Sequence, residues 1–176
     1  MHKHIKLSLI AGLVILCLII LLSIFYPTDS RQQTHIMEAF MEKYYSAQSY
    51  DNYTAMMAGD FEVSDLLYQQ QYTKLITKDE YDRMVANRVV LEAEKIVKQY
   101  GCTVSLRNSS FQKMMGSTVE GYSSYSYDIE VKLDFGDNDI SYVMLTGTLV
   151  FTKQDDEWII SRFTPRQSFF KIVENR

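Results

Sequence analysis

Residues 125–139 read YSYDIEVKLDFGDND. Tyr125, Tyr127, Ile129, Val131, Leu133 and Phe135 alternate with Ser126, Asp128, Glu130, Lys132 and Asp134. A period of two is the signature of a strand with one apolar and one polar face. The polar side is either the lining of an active site or the wet outer face of a sheet. Burying Asp128, Glu130 and Asp134 together without partners would cost several kcal/mol per ion, of order 5 each. The charges therefore face water, and the inward face offers hydroxyls at Tyr125 and Tyr127 but no carboxylate or imidazole.

The neighbouring segments extend this pattern. Strands are predicted over residues 102–108, 122–135, 140–153 and 158–163, with Val143, Leu145, Leu149 and Phe151 sharing one face of the third. The turns GDND and QDDE join the last three as a meander. Before Cys102 the period is helical. Ile36, Phe40, Tyr44 and Ala47 mark a first amphipathic helix from Arg31, with Ser30 and Gln33 at capping-box spacing. Asp51 is placed to cap a short second helix that Gly59 ends. Residues 62–77 fit either a helix or short strands.

Thr77 and Glu80 form a second capping box. One long helix is predicted from there to Gly101, with Tyr81, Val85, Val89, Ile96, Val97 and Tyr100 as its apolar stripe. The pairs Asp79–Arg83, Arg88–Glu92 and Glu94–Lys98 stand four apart and are assigned to its outside. Helices followed by an antiparallel meander define an α+β domain with helices packed on one face of a sheet. A final SFFKIVENR adds Phe169, Phe170, Ile172 and Val173, which either fold back on the domain or bind a partner.

The N-terminal region has a different character. Residues 7–26, LSLIAGLVILCLIILLSIFY, carry no charge and no proline. Twenty residues of helix span about 30 Å, the thickness of a bilayer's hydrocarbon core. A cleaved signal peptide is the rival, but its apolar region is shorter and SIFYPTDS is a poor cleavage site. Lys3 and Lys6 precede the run, which puts the N-terminus in the cytoplasm. The predicted plan is a cytoplasmic tail over residues 1–6, a span over 7–26, a linker over 27–30 and an extracytoplasmic domain over 31–176. The compact anchor-plus-domain plan reads as bacterial.

Those two lysines are the only Lys or Arg before Pro27, and every acid lies beyond it, so the domain is more acidic than the whole chain's −4. With no Lys/Arg cluster it is a poor match for nucleic acid. The only domain cysteine is Cys102, which excludes an internal disulfide. His35 is the only histidine beyond the run, so a nucleophilic triad has no base, and His35 with Cys102 makes no zinc site. Asp134, Asp137 and Asp139 fail the EF-hand pattern, with Tyr142 where Gly is required and Thr148 where Glu is required. Asn52-Tyr-Thr54 and Asn108-Ser-Ser110 fit the glycosylation sequon, which matters only in a eukaryotic secretory setting. No catalytic residue, metal ligand or cofactor is assigned.

Three stretches carry a resemblance: AFMEKYYSAQSYDNYTAMMAGDF as paired opening helices, the helix from Thr77, and the closing DDEWIISRFTP. In this order they resemble the nuclear transport factor 2-like superfamily, with its cystatin-like α+β cone shared with ketosteroid isomerase and polyketide cyclases. The resemblance covers roughly residues 36–165. With the anchor added, the chain is similar to the bitopic scaffold subunit of type IV secretion and conjugation machines, where the cone is an assembly surface. That likeness implies a non-enzymatic interaction module of a bacterial envelope complex with protein partners; self-association stays open. The superfamily's isomerases and dehydratases imply the alternative, a ligand-binding or enzymatic cone lined by Tyr125, Tyr127, Tyr142 and Trp158.

The face assignment has a direct test. Asp128→Ala or Glu130→Ala should change unfolding free energy by less than about 1 kcal/mol. Ile129→Ala or Val131→Ala should lower it by about 2–4 kcal/mol. Urea denaturation of the four variants checks the ranking, and the reverse order would put the carboxylates inside.

Overall fold

The computed structural model describes residues 29–115 and 121–175. The chain divides into two compact units, Met1–Gln32 and Gln33–Arg176. The apolar run of residues 7–26, its flanking tail and the start of the linker lie outside the described residues. Among those described, no helix is long and apolar enough to cross a membrane.

Helix α1, Asp29–Tyr45, starts two residues earlier than predicted, with Asp29 in its first turn near the positive end of the helix dipole. Its Gln33 does not close a capping box. The side chain is buried against the sheet, where Gln33 Nε2 donates to Ser123 Oγ at 2.7 Å and Tyr125 Oη donates to Gln33 Oε1 at 2.7 Å. Met37, Phe40, Met41, Tyr44 and Tyr45 form the core face. Helix α2, Asp51–Met57, begins at Asp51 itself and has no side-chain cap. The ambiguous residues 62–77 are mainly helical: α3, Phe61–Leu67, runs into a π-helical turn, Tyr68–Tyr72.

The helix predicted as one piece from Thr77 is two, α4 (Lys78–Ala86) and α5 (Glu92–Tyr100). Arg88 sits between them with φ +59°. The reason is legible on a helical wheel: Arg88 and Glu92 follow Tyr81 by seven and eleven residues, on the same line. A straight helix would carry both charges onto the stripe that buries Tyr81 and Ile96. The break removes Arg88 to the surface and gives Glu92 a polar partner set.

Strands β1 (Thr103–Lys113), β2 (Tyr122–Asp134), β3 (Ile140–Gln154) and β4 (Glu157–Pro165) form one antiparallel sheet in sequence order. With six α-helices among the described residues, this is the expected α+β class. β1 runs five residues beyond the predicted end, past a register shift between Leu106 and Asn108. On β2, Tyr125, Tyr127, Ile129, Val131 and Leu133 are buried and Asp128 is exposed. Phe135 stands beyond the strand end and is partly exposed, so it leaves the apolar row. The β3–β4 turn places both Asp155 and Asp156 at positive φ, the geometry of a two-residue hairpin with matching twist.

The two sheet edges are treated differently. On β4, Thr77 N donates to Ile160 O and Ile160 N donates to Leu75 O, at 2.9 and 3.0 Å. On β1, Ala47 and Val104 exchange two backbone bonds of 2.9 Å, and Leu106 N reaches Ser46 Oγ at 3.0 Å. Past that point the β1 edge runs uncovered among the described residues.

The core between helices and sheet is aromatic. Phe163 lies 5.0 Å from Phe40, 4.7 Å from Tyr44 and 5.9 Å from Tyr127, centroid to centroid. Helix α6, Phe169–Glu174, closes one end with Phe169 and Val173 buried, so the tail folds back on the domain. Tyr127 lies across β3 at Gly147, where an added Cβ would stand 2.5 Å from Tyr127 Oη and 2.5 Å from Thr164 O. Gly147→Ala should therefore push Tyr127 off Phe163 and cost about 1–3 kcal/mol. Chemical denaturation measures this, and wild-type stability would mean that the ring has room to move aside.

Candidate functional site

The tyrosines expected to line a pocket separate. Tyr125, Tyr127 and Trp158 point into the core, whereas Tyr142 is exposed on the opposite face of the sheet. Val143 and Leu145 face inward, so alternation already puts Tyr142 outside. The inward tyrosines are engaged with protein. Tyr45 Oη and Tyr127 Oη lie 3.2 Å apart, and burial pushes both phenols well above their usual range.

Two carboxylates are buried among the described residues, Glu80 and Glu92. Glu80 was assigned to no pair, and Glu92 was assigned to a surface pair with Arg88. Arg83, matched with Asp79 by spacing, instead donates Nε and Nη2 to Glu80 at 2.6 and 2.5 Å. Glu80 Oε1 accepts Phe163 N at 2.7 Å, and Arg83 Nη2 donates to Phe163 O at 2.8 Å. Glu92, matched with Arg88 by spacing, accepts Ser168 Oγ at 2.5 Å and Phe169 N at 3.0 Å. Glu94, matched with Lys98 by spacing, accepts Asn52 Nδ2 at 2.7 Å and Tyr53 N at 2.8 Å. These three glutamates are the polar centres that spacing rules missed; Glu92's place on the Tyr81 line was the available signal.

Desolvation raises the Glu92 carboxyl above the ordinary glutamate range, against the hydrogen bonds from Ser168 and Phe169 that lower it. Tyr44 is fully buried beside this region, and its phenol has no protein partner among the described residues. Burial raises it, and the charge of Glu92 raises it further. Tyr44 also lines a cleft of about 170 Å³ between the end of α1, the π-helical turn and the start of α5, with Lys43, Gln71, Tyr72, Val90 and Glu94. Trp158 Nε1 is the second buried polar atom without a partner among the described residues, and Lys153 Nζ stands 5.1 Å from that ring's centroid.

The other singled-out residues sit apart. His35 is 83% exposed and lies 3.8 Å from Glu38. The Cys102 thiol is buried, which raises it. Asp134 accepts Lys132 Nζ at 2.7 Å and Gly136 N at 3.0 Å, and these bonds hold its carboxyl below the usual range. Among the described residues no three His, Cys, Asp or Glu side chains group as metal ligands.

Three surface regions expose large apolar side chains, one of them Met114, Met115 and Tyr122 at the ends of β1 and β2. On the outer sheet face these are Ile140, Tyr142 and Met144, where Arg107 stacks over Tyr142 at 4.6 Å and pairs with Glu130 at 3.0 Å. On the helical side they are Tyr50, Met57, Phe61 and Leu66.

An α+β domain with an aromatic-filled interior and apolar side chains on its surface is the class these features define. No family model and no curated protein matches the chain. Among solved structures, it is similar to a periplasmic fragment of TraM, at 6% identity and TM-score 0.50 over 78% of this chain and 97% of that one. This likeness shows a shared fold. The intermembrane space region of chloroplast protein ARC6 also aligns, at 11% identity over 68% of this chain and 97% of that one, but its TM-score of 0.30 defines no common fold.

The Glu92 environment predicts a pH dependence. With its pKa raised in the folded state, folded protein keeps a proton that unfolded chain has released. Stability should therefore fall as pH rises from the ordinary glutamate range through the raised value, and level off above it. Glu92→Gln removes this titration. The stability of wild type minus that of Glu92→Gln, followed by urea denaturation from about pH 4 to about pH 7, should decline with pH. A flat difference would place the carboxyl in a fully solvated environment.

Proposed function

We propose that this domain is an extracytoplasmic, non-enzymatic interaction and assembly module. In this reading residues 7–26 hold it in the membrane, and it serves a bacterial envelope complex of the secretion or conjugation type. The observation that carries the proposal is where polar and apolar groups are committed. Inside, Phe40, Tyr44, Tyr45, Tyr127 and Phe163 occupy the space that a substrate would need, and Glu80 and Glu92 are taken up by backbone amides. Outside, Phe61, Leu66 and Met144 are each more than half exposed. Large apolar side chains left in water on the surface mark candidate interaction sites. The fold likeness to a periplasmic fragment of TraM supports the extracytoplasmic location.

A second reading, a small-ligand or isomerase-like cone, is favoured by one observation, the unpartnered Tyr44 phenol beside the cleft. A buried hydroxyl without a partner costs about 1–3 kcal/mol, which a bound acceptor would relieve.

Protease added to cells stripped of their wall or outer membrane should digest the domain; full protection would reverse the topology. Native extracts of the same membranes should carry the chain in particles well above its own 20.5 kDa, through partners or further copies of itself. Migration as the single chain would remove the assembly reading, and Tyr44→Phe with unchanged particle size would separate that reading from the ligand-binding one.

A further inference from the structure

Helix α3 turns an unusual set of side chains to solvent. Ser64 and Leu67 face the core, and Tyr81 Oη donates to Ser64 O at 3.0 Å, so the inward side is defined. On a helical wheel the opposite side gathers Phe61, Asp65, Glu62 and Leu66 within about 140°. All four are exposed, Phe61 at 76% and Leu66 at 53%.

The chain on either side of them carries charge of one sign. Residues 44–73 contain Asp51, Asp60, Glu62 and Asp65 and not one Lys or Arg. Lys78 reaches α3 but is shared: its Nζ stands 3.5 Å from Asp65 and also pairs with Asp82, while Lys98 stands instead over the rings of Tyr50 and Tyr53. Glu62 and Asp60 have no ion pair among the described residues. An acidic surface of this kind is repelled by anionic lipid and attracts cationic protein.

We infer that the outer face of α3 docks a cationic protein segment that sets Lys or Arg between two apolar contacts. Phe61 and Leu66 are its anchors, and Glu62 and Asp65 fix its register. On the wheel Asp65 and Glu62 lie between the two anchors, so a partner cation sits between two apolar contacts: the contacts supply affinity and the charges steer the encounter. The inference rests on the assembly reading above and names the surface through which assembly runs.

The test places a photo-crosslinking phenylalanine analogue at Phe61 or Leu66 in the full-length chain in its native membrane, with Tyr142 and Met144 on the sheet as comparison sites. The expected result is an adduct from position 61 or 66 to one protein. Its cross-linked peptide, mapped by mass spectrometry, should carry apolar residues with Lys or Arg within one helical turn. Glu62→Lys with Asp65→Lys should reduce that adduct about tenfold or more, while circular dichroism and melting stay unchanged. Asp128→Lys, on the sheet's wet face, should leave it intact. An adduct to a second copy of this chain, to lipid, or to a peptide without basic residues overturns the inference. Adducts only from Tyr142 or Met144 overturn it while leaving the assembly reading in place; no adduct from any of the four positions counts against both.

Discussion

Three glutamates on one broken helix hold the neighbouring elements through backbone amides. Glu80 takes Phe163 N from β4, Glu92 takes Phe169 N from α6, and Glu94 takes Tyr53 N from α2. A hydrogen bond to an ionised group contributes about 1.5–3 kcal/mol, against about 1 for a neutral one. The position of these bonds matters as much as their strength. Phe163 is the ring on which Phe40, Tyr44 and Tyr127 converge, and Glu80 with Arg83 fixes both its amide and its carbonyl. The aromatic core is thus registered to the helices by one polar clamp.

The same bonds explain which parts of the structure sequence reasoning reaches. The inner and outer faces of β2 follow from alternation, because a period of two survives any detail of packing. The helices of α1, α4 and α5 follow from their apolar stripes. The pairs Asp79–Arg83, Arg88–Glu92 and Glu94–Lys98 did not form as spaced. A local pair of this kind is worth about 0.2–0.5 kcal/mol, whereas an unsatisfied buried amide costs about 1–3 kcal/mol. The larger demand wins, and its source lies far along the chain: Ser168 is 76 residues from Glu92. No window around Glu92 contains that partner.

The candidate site divides along the same line. Tyr125 and Tyr127 were legible as inward residues, and Tyr142 was legible as an outward one from Val143 and Leu145. What spacing could not give is how completely the interior is occupied, since that depends on rings from α1, β2 and β4 meeting at Phe163. The exposure of Phe61 and Leu66 was equally hidden: Phe61 ends the segment before, and residues 62–77 showed no clear period. Their outward aim becomes visible only once Ser64 and Leu67 are seen to face the core.

The unequal edges of the sheet give the domain a polarity. β4 is sealed by Ile76, Thr77, Glu80 and Arg83, whereas β1 is sealed only as far as Leu106. An open rim invites polymerisation when its side chains are apolar. Here it reads Arg107, Asn108, Ser109, Ser110, Phe111, Gln112 and Lys113, with a bulge at its start. A molecule crowded against others of its kind would stay colloidally stable with such a margin. Any strand that did add there would lengthen the sheet in one direction only, away from β4 and α4.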